Sequence, residues 1–406
     1  MLSTKFKHII YKLSKLYLLI LLVEIFLGGA GRLVTIGPLT LRMYLFIGGM
    51  FITIILLLIG YKLSSLSKVI IFCFTVIYLS AILLGLFNNA DVILLLADAK
   101  MASFFFIYPL FDLIIREELI VNRIIFLLKS ASFLMATLYI STIFLLYSGI
   151  INFKELYDVL SKEEYSGEFG FRGGESGALI YKGFAYMCMG FFFHFFSKRS
   201  ITNILLMILI IIAIVATLTR GFILTILIIL LPYIIIRFIK DRKFIILFFS
   251  AILFCYVLLI AVPIFVETLG DKSESDLIRK TQIIEVADRI SFSSILVGHG
   301  YGIGVPIREG HFEMTYLEIF HKQGIMGLFF WFGILGLVLK LYLKNRDNLL
   351  QYHGFFCSIL FLYIQSASNP FLVNSIGLTM LFITITYFNN VLKNNESFSL
   401  HSDIQR

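Results

Sequence analysis

The chain has 406 residues, 59% of them hydrophobic and 15% charged, with a mean hydropathy of +0.96. Soluble domains carry roughly 45–50% apolar and about 25% charged residues, so a soluble globular fold is excluded and a membrane protein of many spans is indicated. The formal net charge of +9 is what Lys and Arg gathered in cytoplasmic loops produce, so no nucleic-acid partner is expected.

A hydrocarbon core about 30 Å thick takes around 20 apolar residues per helix. In chain order such windows fall at roughly 17–31, 39–60, 69–87, 93–115, 124–148 and 178–197. They continue at roughly 201–218, 221–238, 244–266, 324–340, 349–368 and 371–390. The expected fold class is therefore an all-α polytopic membrane protein with about 12 transmembrane helices. The first residues, MLSTKFKHIIYKLSK, lack a short apolar run followed by a small-residue cleavage site and read as a basic cytoplasmic end.

Orientation follows from the basic residues. Lys5, Lys7, Lys12 and Lys15, then Lys62 and Lys68, Arg116 and Arg123, Lys198 and Arg199 recur on one side. Arg237, Lys240, Arg242 and Lys243, then Lys340, Lys344 and Arg346 continue the series, while the other side holds few, Arg32 and Lys100 among them. Both termini are thus expected in the cytoplasm. Two places are ambiguous: 88–115, which carries Asp91, Asp98 and Lys100, and 201–238, which makes two helices only if TLTRG turns tightly. Cys73, Cys188, Cys255 and Cys357 all lie in apolar runs and form neither a metal spacing nor a disulfide framework.

Two long loops face away from the cytoplasm, about 149–177 and about 267–323, and long loops are more often functional than idle. The chain then divides into a transmembrane scaffold over 1–148, a first long loop over 149–177, and central helices over 178–266. A large loop over 267–323 and C-terminal helices with a tail over 324–406 follow. Within the large loop SESDLIRKTQIIEVADRI reads as a helix, with Ser273 and Asp276 in capping-box spacing. Arg279 and Arg289, ten residues apart, lie within about 80° of one another on such a helix. No repeat of transporter type is visible.

The chemistry-bearing residues cluster in these outer segments. Arg220, in ATLTRGF, stands between two apolar runs, where an arginine is costly unless it reaches the interface or a ligand; its fork suits phosphate. Arg172 in FGFRGGESG is followed by glycines that allow close backbone approach. Arg279, Lys280, Arg289 and Arg308 share the large loop with Glu267, Asp271, Glu274, Asp276, Glu285, Asp288 and Glu309, so most of these charges belong to a solvated face. The run GHGYGIG lacks the Lys-Ser/Thr of a nucleotide loop and is expected to form a close-packed turn whose backbone N–H groups meet an anion or a sugar, with His299 capping it. His311 and Glu313 precede MTYLEIFHKQG and are candidates to take a proton from a sugar hydroxyl. His321 is expected at the membrane interface. Glu24, Asp112 and His194 fall in or near spans and are candidates as intramembrane ionisable groups.

Arg172 with its glycines, Arg220 in its T-R-G turn, Arg279 in a long outer loop, G-H-G-Y-G, and YLEIFHKQGIMGL entering a helix together resemble the O-antigen polymerase and O-antigen ligase superfamily. The likeness spans about residues 165–340. It implies a GT-C-like glycosyltransferase that moves glycan from undecaprenyl diphosphate at the periplasmic face of a bacterial inner membrane, without metal or other cofactor. Membrane lipid and a chain-length regulator protein are the further partners it implies. By the same likeness Arg172, Arg220 and Arg279 bind the diphosphate, a loop His or its neighbour deprotonates the acceptor, and Arg289, His299, Tyr301 and Tyr316 are further substrate contacts. Family members commonly carry His-Asn eleven and ten residues before the glycine opening the last motif. Counting back from Gly324, Glu313 and Met314 stand there, with His311 two residues earlier. A polymerase is the expected activity, a ligase to lipid A core the close alternative, and a flippase the alternative of another class.

Overall fold

The computed structural model describes residues 4–162, 168–172, 178–240, 273–345 and 351–391. The expected span at 244–266 lies outside them. Helices dominate, and six among the described residues are long and apolar enough to cross a membrane: Leu41–Ile59, Ser65–Phe87, Val92–Ile114, Glu118–Tyr147, Arg220–Arg237 and Thr315–Lys344.

Helix α1 (Thr4–Leu27) is followed by a two-residue hairpin, β1 (Thr35–Ile36) with β2 (Leu39–Thr40), and then α2 (Leu41–Ile59). Local chemistry sets the ends of α2. The Thr40 hydroxyl accepts from the Met43 N–H at the start, and Gly60 closes the helix in the left-handed region at φ 104°. Ser64 caps α3 (Ser65–Phe87) in the same way through the Ser67 N–H. The ambiguous 88–115 window resolves as α4 (Val92–Ser103), a 3-10 turn at Phe104–Ile107 and α5 (Tyr108–Ile114), capped by the Asp91 carboxylate. Next comes α6 (Glu118–Tyr147), then α7 (Phe153–Leu160) and a hairpin of β3 (Phe169–Arg172) with β4 (Ala178–Tyr181). The hairpin corrects one expectation. A helix was expected from 178, but β4 occupies 178–181 and α8 (Phe184–Phe195) begins later, because the segment pairs antiparallel with β3 and Ile180 and Tyr181 favour strands.

Helices α9 (Ile201–Ala216) and α10 (Arg220–Lys240) are separate, so TLTRG does turn tightly. The large loop contains α11 (Ser273–Asp288) and α12 (Phe292–Val297). Helix α13 (Thr315–Asn345) is kinked at Gly324, whose φ is 64°, and the membrane-length apolar run starts at that kink. Helices α14 (Gln351–Gln365) and α15 (Ser375–Thr386) complete the array, ending in a π-turn over Tyr387–Val391.

Helices α8 and α15 form the buried centre, with every residue of α15 from Ile376 to Thr386 buried. Small residues let α6 approach α8: a Cβ at Gly190 would lie 2.3 Å from the Ser132 Cβ, and the Ser132 hydroxyl donates to the Met187 carbonyl at 2.9 Å. The intramembrane ionisable candidates each have a partner within the fold, His194 through one ring nitrogen only. Glu24 pairs with Arg42 at 2.8 Å, Asp112 accepts from the Ser64 N–H and the Asn390 amide, and His194 Nδ1 meets Asn203 Oδ1 at 2.8 Å.

Contacts gather the connections into two ends. At one end Glu168 accepts from the Ala30 and Arg32 N–H groups, Asn88 donates to the His299 carbonyl, and the Thr315 N–H donates to the Ser366 carbonyl. At the other, Lys15 pairs with Glu117 and Arg116 donates to the Lys62 carbonyl. The first is the loop-bearing end.

Candidate active site at the loop-bearing end

The GHGYGIG run lies flat against the helix ends. A Cβ at Gly300, where φ is 92°, would sit 2.1 Å from the Gly85 nitrogen, and one at Gly302 would sit 2.7 Å from the Leu95 nitrogen. Only glycine permits such approach with positive φ. The backbone N–H groups of residues 299–302 are already used: His299 donates to the His321 carbonyl, Gly300 to Lys322, Tyr301 to Ala81, and Gly302 to Asp98 Oδ2 at 2.8 Å. This corrects the expectation of N–H groups offered to an anion or a sugar. The glycines let the loop clamp α3, α4 and α13, and the anion that one N–H meets is the chain's own Asp98.

Asp98 leads to the most concentrated charge among the described residues. Lys322 Nζ donates to Asp98 Oδ1 at 2.8 Å and to Glu318 Oε1 at 2.7 Å, and also reaches the Gly310 carbonyl at 3.1 Å. His311 Nδ1 meets the same two carboxylate oxygens, each at 3.2 Å. Asp98, Glu318 and Lys322 are buried, whereas the His311 side chain is 43% exposed. Hydrogen bonds to Asp98 and then Glu318 raise His311 to about 9, against the opposing effect of burial. It is therefore a cation at neutral pH.

Asp98, His311 and Glu318 also have the spacing of a metal-binding trio, their ligand atoms lying within 4.8 Å of one another. The Lys322 ammonium bridges the two carboxylates where a cation would be held. The two carboxylates are thus already paired with a cation of the chain itself. Behind it a cavity of about 30 Å³ is lined by Tyr301, Glu318, Gln323 and Trp331, about the size of a water site. Glu318 Oε2 and Trp331 Nε1 are buried there with no hydrogen-bond partner among the described residues.

A second group lies in the same loop. Glu313 meets Arg279 Nε at 3.2 Å and Arg308 Nη2 at 3.0 Å, and Arg279 also meets Asp276 at 3.1 Å. Arg289 donates to the Gly304 carbonyl at 2.7 Å. Both arginines thus reach from α11 and its end toward the 298–313 segment, although Arg289 lies just past the helix.

The remaining candidates are placed as follows. Arg220 opens α10 after Leu218, a non-glycine residue at φ 50°. The next residue, Gly221, accepts through its carbonyl from the Gln365 amide at 2.5 Å, which ties the turn to the end of α14. Arg220 Nε is buried and has no hydrogen-bond partner among the described residues. Arg172 ends β3, paired with Ala178; its side chain lies outside the described residues. No hydrogen bond or ion pair among the described residues joins Arg220 to Arg279 or to the His311 cluster. Two tyrosines are committed to packing: Tyr301 accepts from Gln323 at 3.0 Å within a buried cluster, and Tyr316 donates to the Tyr363 carbonyl at 2.5 Å while stacking on Phe332. The His299 and His321 rings lie with centroids 4.7 Å apart, tilted by 40°, and burial lowers the His299 pKa. His321 is buried with both ring nitrogens unpartnered among the described residues, which corrects its expected place as an interfacial anchor.

Sequence reasoning missed Asp98 and Glu318 as the partners of His311, and Lys322 as the cation that bridges these two carboxylates. The spacing of Glu318 and Lys322, one helical turn apart, was a readable signal, whereas Asp98 is 224 positions from Lys322 and only the fold unites them.

No family model matches the chain. It is similar to a protein named O-antigen polymerase from Shigella flexneri, at 27% identity over 386 residues, covering 92% of this chain and 94% of that one. Similarity that runs nearly end to end in both chains, together with the helical membrane architecture, supports this chain's membership of the O-antigen polymerase family.

Proposed function

We propose that this protein is a membrane glycosyltransferase that joins lipid-diphosphate-linked oligosaccharide repeat units into O-antigen or a related surface polysaccharide. The observation that carries the reading is the near-full-length similarity to a protein of that name. The carrier is undecaprenyl diphosphate, the reaction faces the periplasm, and about 12 spans place both termini in the cytoplasm, as expected from apolar windows and basic loops. Lys322 in the acidic cluster supports chemistry without a metal, and a chain-length regulator is the protein partner.

The loop geometry supports a division of labour. The acceptor hydroxyl attacks the anomeric carbon, the bond from that carbon to the diphosphate oxygen breaks, and the hydroxyl proton passes to a carboxylate. Arg279 and Arg220, with Arg172, neutralise the departing diphosphate as its charge develops. Glu313 is the base in this scheme. His311 already holds its proton between two carboxylates, whereas Glu313 is held by Arg279 and Arg308. A diphosphate that takes over Arg279 releases Glu313 beside the reacting sugar.

The test is chain growth by purified protein supplied with lipid-linked repeat units and no lipid A core. A ladder of longer lipid-linked chains is expected. Repeat units that stay single would sink the polymerase reading and favour a ligase. In cells lacking the protein, one repeat unit per core is expected; surface glycan lost altogether points to a ligase or a flippase.

A further inference from the structure

At the end of the array opposite the loops, α6, α8 and α9 enclose a groove of about 780 Å³ that the proposed chemistry does not use. Its polar lining includes Asn122, Lys129 and Ser130 of α6, His194 of α8, Ser197, Lys198 and Ser200 of the connection, and Thr202 and Asn203 of α9. The groove carries two lysines, and no Asp or Glu lines it.

His194 is the second observation. It is 3% exposed and its ring is oriented by Asn203. The Asn203 amide nitrogen donates to the His194 carbonyl at 2.8 Å, which turns Asn203 Oδ1 toward His194 Nδ1. Nδ1 is therefore the protonated nitrogen, and Nε2 is the ring position left over. That Nε2 is buried with no hydrogen-bond partner among the described residues, on a residue that lines the groove. Lys129 is held toward the same space by the Ser197 hydroxyl at 3.0 Å.

The outer wall is apolar. Phe126 and Phe133 of α6 line the groove while remaining largely exposed, and Leu205 and Ile208 of α9 continue that exposed surface along the helix. A ligand with an anionic head and hydrocarbon tails matches this pairing of a cationic pocket with an apolar wall. We propose that the α6–α8–α9 groove binds the phosphate head group of an anionic membrane lipid. Lys129 and Lys198 meet the phosphate oxygens, and His194 Nε2 takes the remaining hydrogen bond, with a head-group hydroxyl as donor or, once protonated, with a phosphate oxygen as acceptor. The acyl chains lie along Phe126 and Phe133. The site lies at the end away from Arg279, Glu313 and His311, so it stands or falls independently of the polymerase reading.

The experiment is native mass spectrometry of the full-length protein released from nanodiscs of phosphatidylglycerol or phosphatidylcholine. Retained phosphatidylglycerol and little phosphatidylcholine are expected. Lys129→Ala should weaken phosphatidylglycerol retention about fivefold, the effect of one lysine at an anionic lipid surface. Lys198→Ala, an exposed change that leaves the helix packing alone, should weaken it in the same direction, which guards against misfolding of the first variant. Equal retention of the two lipids, or no change in either variant, would overturn the site. Displacement of phosphatidylglycerol by millimolar inorganic phosphate would overturn the lipid as its occupant.

Discussion

At the residue scale the central fact is that both proton-transfer candidates are engaged by side chains of the protein itself, but by opposite partners. His311 faces Asp98, Glu318 and the Lys322 ammonium, whereas Glu313 faces the cations Arg279 and Arg308. His311 is raised to about 9 from an ordinary 6.5. A group raised on folding contributes stability that is complete below the unfolded value and is lost as pH climbs through the folded one. Hydrogen exchange over residues 298–313 should therefore quicken between about pH 7 and about pH 9.5 beyond its intrinsic base dependence. His311→Gln should remove that extra step, and an unchanged step in this variant would refute the assignment. Because the side chain is partly exposed, solvent screening keeps the effect local to the loop. For Glu313 the expectation concerns rate. Glu313→Gln should slow chain elongation by about 10²–10⁴ if it is the general base, with donor lipid still bound through the arginines. A comparable loss in His311→Gln with normal turnover in Glu313→Gln would reverse the two roles.

At the element scale the loop is positioned by backbone fit, which single substitutions can test. Gly300→Ala would drive a Cβ to 2.1 Å from the Gly85 nitrogen at a φ that L-residues avoid, so the loop must lift from α3. Elongation should be lost, and limited proteolysis should cut within 298–310 far faster. Gly333→Ala is the control, since nothing lies within 4 Å of a Cβ there and alanine favours a helix by about 0.8–1.0 kcal/mol. That variant should match or exceed the parent in thermal stability; equal behaviour of the two would mean the loop is not clamped. The same comparison explains what could be read in advance. Hydropathy located the six membrane-length helices because each span must be apolar along its whole length, whereas the turn before Arg220 was left open in the sequence and is decided by the separation of α9 from α10. The hairpin at 169–181 was missed because its short strands carry no length signal, and Asp98 was passed over because its partners come from α13. The glycine loop was found for a sound reason, the need for close backbone approach, but sequence alone could not say whether a ligand or another helix would be the neighbour.

At the scale of the whole molecule, the reading depends on which end faces which compartment. Contacts join residues 15, 62 and 116–117 at one end, and residues 30–32 with 168, and 88 with 299, at the other. Lys62, Arg116, Lys198 and Arg199 gather in the connections opposite the loops, which the positive-inside bias assigns to the cytoplasm. In the proposed function the diphosphate carrier, the acceptor and Arg172, Arg220 and Arg279 then face the periplasm. Impermeant maleimide decides this directly. In a background with Cys73, Cys188, Cys255 and Cys357 replaced, Ser293→Cys, an exposed position in α12, should label in cells whose outer membrane alone is permeabilised. Lys62→Cys, exposed at the other end, should label only after the inner membrane is broken. Labelling of both in intact spheroplasts would break the alternation of helices from which the topology is built. The reverse pattern would place Arg279 and Glu313 in the cytoplasm, where the proposed periplasmic polymerisation could not occur, and would end that reading even if the fold were unchanged.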